Sequence, residues 1–270
     1  MNGKEIKEKL KAGEMVYGGL VVSQSPKWLK YIKKTGMDFL FIDTEHVAID
    51  SATLSWMCYA YRGAGLSPIV RIPSHDPYRA TQVLDGGADG IMAPYIETPE
   101  QVTALVGAVK LKPIKGDKLE KLLHGEEMKP ELENYINNAN ADNILCVNIE
   151  SIEGIRNLDA ILKVPGLDAV VVGPHDLSCS MDMPEQYDNP AFEEAVLDII
   201  RRSRAAGLGV GVHFMGDIER QVQWMEKAGL NFVIHSADIN IYIQKMKSDL
   251  DFIKEKAGET ALASDVTINI

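Results

Sequence analysis

The sequence predicts one (β/α)8 barrel, a TIM barrel, with an extra helical insert before its fifth strand. Three observations point there. Short apolar runs alternate with amphipathic stretches from end to end, as repeated strand–helix units around a parallel sheet require. The apolar runs number eight, and Gly36, Gly65, Gly87, Gly166, Gly207 and Gly229 stand before six of them, where a helix stops in left-handed backbone. The chain of 270 residues exceeds an ordinary domain, yet barrels of this kind reach about 250 residues as one unit.

Taken in order, the first strand covers 17–22. The apolar run around it, 15–22, is short, holds Gly18-Gly19 and has no small-residue cleavage pattern behind it, so it is neither a signal nor a membrane span. Strands follow at 39–42, 68–70, 90–93, 144–148, 169–172, 210–212 and 232–234. The helices between and after them are expected at 26–35, 51–62, 77–86, 99–110, 151–162, 190–206, 216–228 and 240–256. Asp50-Ser51, Thr98-Pro99 and Asn189-Pro190 supply helix-start signals, the last two with Pro at the first helical position. The stretch 112–143 is charged, holds Pro113, Gly116, Gly125 and Pro130, and is too long for a turn; it is expected to form an extra short helix or two. Residues 1–256 then make the barrel and 257–270 a tail, whose end, 266–270, alternates like a strand packing on a neighbouring chain but is also what an unstructured terminus looks like.

Net charge is −11, with 39 acidic against 28 basic residues, which disfavours nucleic acid or an anionic membrane as partner and leaves small molecules or proteins. Cys58, Cys146 and Cys179 are odd in number and lack Cys-x-x-Cys spacing, as reduced, mostly buried thiols of a cytoplasmic protein would.

Residues just after each strand line the face where barrels place chemistry. Here they are Asp43-Thr44-Glu45-His46, Arg71, Glu150, Gly173-Pro174-His175-Asp176, His213 and His235-Ser236-Ala237-Asp238, and five of the six histidines follow strands. Glu150 and Asp176 end successive strands, about 5 Å apart in backbone, and two carboxylates there need a cation, a shared proton or a basic residue between them. An all-oxygen donor set open to solvent suits Mg²⁺ or Mn²⁺; the alternative is that each carboxylate caps the following helix. Arg71 is expected to point into the mouth toward an anion, to pair with Asp43 on the next strand, or both. None of the eight strands projects a lysine for Schiff-base chemistry, so a carbanion formed here needs a metal.

These residues resemble the HpcH/HpaI aldolases, metal-dependent class II enzymes acting on pyruvate-derived 2-oxo acids. The resemblance rests on Phe41-Ile42-Asp43-Thr44-Glu45-His46, Val70-Arg71-Ile72-Pro73, Val83-Leu84-Asp85-Gly86-Gly87-Ala88, Asn148-Ile149-Glu150, and Pro165-Gly166-Leu167-Asp168 leading to Gly173-Pro174-His175-Asp176-Leu177-Ser178. It implies reversible cleavage of a 4-hydroxy-2-oxo acid to pyruvate and an aldehyde. Glu150 and Asp176 would hold Mg²⁺, Mn²⁺ or Co²⁺, His46 would transfer a proton, Arg71 would stabilise the enolate oxygen, and the backbone at Gly173, Pro174 and His175 would receive the carboxylate. Asp85 would pair with His46 as a dyad, yet it falls at the end of the third helix, near the bottom of its own barrel. The dyad is then completed from a neighbouring subunit of a homo-oligomer (the family suggests a hexamer), or the helix boundary lies elsewhere, or Asp85 merely caps that helix.

Three departures bear on substrate choice. Gly116-Asp117-Lys118-Leu119 stands where many members have Gly-x-Arg-Gly, so that arginine is missing and Lys118 either substitutes for its charge or does not; the eighth strand runs into His235-Ser236-Ala237-Asp238 instead of Gly-x-Asp; and the seventh ends in His213. The two histidines are expected at the mouth, binding an acidic or hydroxylated aldehyde or serving as structural residues. Competing readings are an enolate-forming lyase on an acyl-CoA, against which no basic, Gly-rich phosphate site is evident, and a barrel that binds a 2-oxo acid without turnover, which the presence of His46, Arg71, Glu150 and Asp176 disfavours.

Overall fold

The computed structural model describes residues 1–259. Parallel strands β1 (Val16–Leu20), β2 (Phe39–Asp43), β3 (Ser67–Arg71), β4 (Gly90–Ala93), β5 (Ile144–Ile149), β6 (Ala169–Val172), β7 (Gly209–Phe214) and β8 (Phe232–Ala237) close into a barrel in sequence order, β8 pairing back onto β1. All eight expected strands are present. Alternate residues feed two apolar layers: Phe39, Phe41, Ile69, Met92, Val171 and Ile234 fill the barrel, while Leu40, Ile42, Val70, Ile91, Val170 and Val212 face the helices. Burial on both faces is why these strands read as continuous apolar runs. Near the bottom Phe39 and Phe232 stack with ring centroids 4.7 Å apart. Gly18 makes room for this, because a Cβ there would stand 2.5 Å from the Phe39 ring.

The expected helices appear as α2 (Lys27–Ile32), α3 (Ser51–Gly63), α4 (Pro77–Asp85), α5 (Pro99–Lys110), α11 (Pro190–Ala205), α12 (Ile218–Ala228) and α13 (Asp238–Ala257). The insert forms α6 (Gly116–Leu123) and α7 (Pro130–Ala139). The helix expected at 151–162 is in two pieces, α8 (Ile152–Arg156) and α9 (Leu158–Ile161), broken at Asn157, whose side-chain amide donates to the Glu97 carbonyl.

Two helices escape the sequence reading. The first, α1 (Gly3–Ala12), opens on a reciprocal cap between Asn2 and Glu5 and drives Ile6 and Leu10 into the barrel floor. The other, α10 (Pro174–Ser180), starts one residue after β6. Residues 266–270 of the expected tail lie outside the described residues.

Helix α13 stands apart: only Asn240 of it is buried, while Ile241, Tyr242, Leu250, Phe252 and Ile253 are exposed. A mostly apolar groove of about 750 Å³ runs between it, α2 and the outer face of β1 and β8. Among the described residues no helix is long and apolar enough to cross a membrane. Cys58 and Cys146 are buried, Cys179 is exposed, and all three are free.

Candidate active site

Above the apolar layers the inward phase of the strands turns polar, placing Asp43, Arg71, Glu150, Gly173, His213 and Ser236 at the carboxyl-terminal mouth. Arg71 is the centre of charge. Its Nε and terminal nitrogen donate to the two Asp43 oxygens at 2.9 and 2.6 Å, and Nε lies 3.1 Å from the Glu45 carboxylate. Burial works against ionising the fully buried Asp43, but the hydrogen bond and charge of Arg71 prevail and hold its carboxyl below the ordinary value. A fork locked in this way is pre-aimed for a further oxyanion.

The other carboxylates are under-compensated. Burial pushes Glu45 up to about 7, with Arg71 opposing and the charges of Asp43 and Asp176 adding to the rise. Burial likewise pushes Glu150 up to about 7; a hydrogen bond from the Tyr95 N–H, 2.7 Å from Oε1, opposes, and the charge of Asp176 adds. Tyr95 holds left-handed backbone, φ 55°, to aim that donor. Glu150 Oε2 is buried without a partner. It sits over Gly173, where a Cβ would come within 2.2 Å of it, so only glycine lets this oxygen reach the turn that leads to Asp176.

The arrangement fits a hard divalent cation. It offers a partnerless buried carboxylate oxygen, a second carboxylate near it, oxygen donors only, and one guanidinium among Asp43, Glu45, Glu150 and Asp176. No cluster of three or more His, Cys, Asp or Glu is poised for a metal among the described residues, so the remaining ligands would be water and substrate oxygens, the habit of Mg²⁺. Beside this pair opens a cavity of about 420 Å³ lined by His46, Arg71, Asp176, His213, Tyr187 and Met215 among others. His46 sits at its rim, side chain 40% exposed, with Nε2 3.6 Å from Glu45.

A profile of the HpcH/HpaI aldolase/citrate lyase family matches residues 17–244. The chain belongs to this family. It is 31% identical to a hydroxypyruvate/pyruvate aldolase of Roseobacter denitrificans over 90% of this chain and 94% of that one. It is also 31% identical to a 2-keto-3-deoxy-L-rhamnonate aldolase of Klebsiella pneumoniae, covering 89% and 90%. The crystal structure of an HpcH/HpaI aldolase from Desulfitobacterium hafniense superposes with a TM-score of 0.80 at 25% identity, covering 93% of this chain and 96% of that one.

Seen in this HpcH/HpaI barrel, the residues singled out in the sequence fall into two groups. Asp43, His46, Arg71, Glu150, Gly173, Pro174, His175 and Asp176 share the mouth; His175 is half exposed, its Nδ1 3.6 Å from Glu185. Asp85, Lys118 and His235 do not join them within one chain. Asp85 ends α4 at the opposite end of the barrel and pairs with Lys112 at 2.6 Å, its side chain 64% exposed, so a dyad with His46 does not form inside the subunit. Lys118, on α6 of the insert, pairs with Glu126. His235 has the outward phase of β8 and lines the apolar groove under α13, correcting its expected place at the mouth. Glu45, expected at the mouth with no role of its own, lies two positions beyond Asp43, close enough to join it on Arg71.

Proposed function

We propose that this family member is a divalent-metal-dependent class II aldolase that reversibly cleaves a 4-hydroxy-2-oxo acid to pyruvate, or a close 2-oxo acid, and an aldehyde. The observation that carries the reading is the pairing, at one mouth, of a buried Arg71 fork with a partnerless Glu150 oxygen. Glu150 and Asp176 would hold Mg²⁺, Mn²⁺ or Co²⁺. Such a cation, when bound, supplies Lewis-acid polarisation of the substrate's keto group.

The chain's own groups account for the rest. Arg71 places its charge where negative charge grows on the keto oxygen as the carbon–carbon bond breaks, and it does so without reorganising, because Asp43 and Glu45 already hold it. The turn Gly173-Pro174-His175 receives the substrate carboxylate. His46, at the rim, takes the proton from the hydroxyl of the aldol and returns one on synthesis.

Asp85 completes the dyad with His46 of another subunit of a homo-oligomer, a hexamer by family likeness. Two features support an assembly: Asp85 is exposed and far from its own mouth, and α13 carries an uncovered apolar face beside an apolar groove. The composition and free thiols suit a cytoplasmic enzyme working on small molecules.

The test incubates pure protein with pyruvate and a panel of aldehydes, with and without exhaustive chelation and with added Mg²⁺, Mn²⁺ or Co²⁺. Adduct forms only with metal. Adduct that persists after chelation refutes metal dependence; no adduct and no deuterium exchange into pyruvate under any metal refutes the aldolase reading.

A further inference from the structure

The loop between β4 and α5 is stitched to the end of β5 by three successive residues. The Tyr95 N–H donates to Glu150 Oε1 at 2.7 Å, the Ile96 N–H donates to the Asn148 carbonyl at 3.3 Å, and the Glu97 carboxylate accepts from the Ser151 hydroxyl at 2.6 Å. The far end of the loop is anchored on α5, where Gln101 Oε1 accepts from the N–H groups of Glu97 and Thr98 at 2.8 and 3.0 Å. Packing closes the middle. Ile96 is buried in the apolar layer between strands and helices, and a Cβ on Gly154 would stand 2.9 Å from the Ile96 carbonyl oxygen, so α8 lies directly against the loop.

Held in this way, Tyr95 adopts a backbone that its own side chain disfavours. Its φ is 55°, the left-handed region in which an L-residue crowds its carbonyl. The ring does not compel this, because the residue is 47% exposed. Such backbone persists only where the surroundings over-determine it, and here both ends of the loop are fixed. What the conformation achieves is the aim of one N–H.

That N–H divides the labour of the Glu150 carboxylate. Oε1 is taken by the Tyr95 amide, and Oε2 is left buried and partnerless over Gly173. A terminal carboxylate torsion is broad, so without the amide either oxygen could turn toward the space beside Asp176. We infer that Tyr95 is a positioning residue of the metal site that acts through its backbone: left-handed residue 95 aims the amide that fixes Glu150 with Oε2 presented to the cation. This inference rests on the metal-dependent reading of the mouth. It makes the conformation of position 95, and not its side-chain chemistry, the determinant of metal affinity.

The test titrates metal-stripped protein with Mn²⁺ alone by calorimetry, with circular dichroism to follow folding. Tyr95→Phe, Tyr95→Gly and Tyr95→Asn bind within about threefold of wild type, since glycine and asparagine enter left-handed backbone at little cost and phenylalanine changes only the hydroxyl. Tyr95→Val, for which positive φ is a genuine outlier, binds at least roughly tenfold more weakly, the scale on which losing a partner that orients a metal ligand is felt. Unchanged affinity in folded Tyr95→Val overturns the inference, as does a tenfold loss in Tyr95→Gly, which would assign the effect to the ring. A second measurement stands whether or not the valine variant folds. With the nine tyrosines labelled with ¹⁵N, the amide resonance missing from Tyr95→Phe belongs to residue 95; its proton lies downfield, as a bond to an ion requires, and moves on adding Mg²⁺ and in Glu150→Gln. A resonance that responds to neither overturns the inference. Wild type that takes up no Mn²⁺ removes the metal reading and this inference with it, whereas uptake indifferent to residue 95 sinks this inference alone.

Discussion

Replacing Glu150 by Gln should stabilise the metal-free protein while crippling its metal binding. The side chain keeps its size, its oxygen can still accept from the Tyr95 N–H, and only the charge is lost. Burial raises the Glu150 carboxyl from an ordinary 4.5 to about 7, which corresponds to about 3 kcal/mol against the ionised form. Because the folded-state value is the higher one, the unfolded chain gives up this proton first. The favourable contribution is therefore whole below about 4.5 and lost as pH rises through about 7. Melting metal-free wild type and Glu150→Gln should give matching curves at acid pH, and a variant more stable by as much as about 3 kcal/mol, or roughly 6 °C, near pH 8. Saturating Mn²⁺ should reverse the order by raising the wild-type melting temperature alone. A metal-free gap that does not grow with pH, or a wild type that stays the more stable near pH 8, would refute the reasoning.

Gly173→Ala places a Cβ within 2.2 Å of Glu150 Oε2, so Mn²⁺ affinity measured by calorimetry should weaken by at least roughly tenfold while circular dichroism stays native; unchanged affinity would show that this oxygen does not ligate. Asp85→Asn removes only an exposed ion pair with Lys112, worth under about 1 kcal/mol, and should leave the melt almost unmoved while lowering kcat by roughly tenfold or more, the scale of a general acid–base partner. Mixing the impaired Asp85→Asn and His46→Asn proteins should raise activity above that of either alone as subunits exchange; full activity of Asp85→Asn alone contradicts the shared dyad.

The barrel was legible because strands buried on both faces cannot hide their apolar character, and because helix stops such as Gly36 and Gly229 need backbone few other residues adopt. The same double burial conceals phase. From an apolar run alone, nothing says whether His213 or His235 points inward, and the two fell on opposite faces, one in the site and one under α13. Helix α1 was missed although Asn2 and Glu5 spell its cap, because its purpose, sealing the floor with Ile6 and Leu10, exists only once the strands have closed. Glu45 stood among the expected mouth residues without a role for a related reason: its weight comes from sharing Arg71 with Asp43, a contact across strands. Asp85 was correctly placed at the far end of its barrel, and its distance from His46 is what turns attention to a second subunit.

The pairing of β1 with β8 sets the order in which this molecule can be finished. Val16 pairs with Phe232, and the Asn231 amide that holds the end of α1 through the Leu10 carbonyl reaches across 221 positions of chain. During synthesis the first strand therefore emerges with one edge that no neighbour can cover until nearly the whole polypeptide has left the ribosome. Contacts of such long sequence separation are slow to form, and an open strand edge is the part of a nascent chain most prone to pair with the wrong partner. The closed ring has no edges at all, yet everything before closure has one, so the yield of native protein should depend on how well the cell shields the β1 edge while it waits for β8.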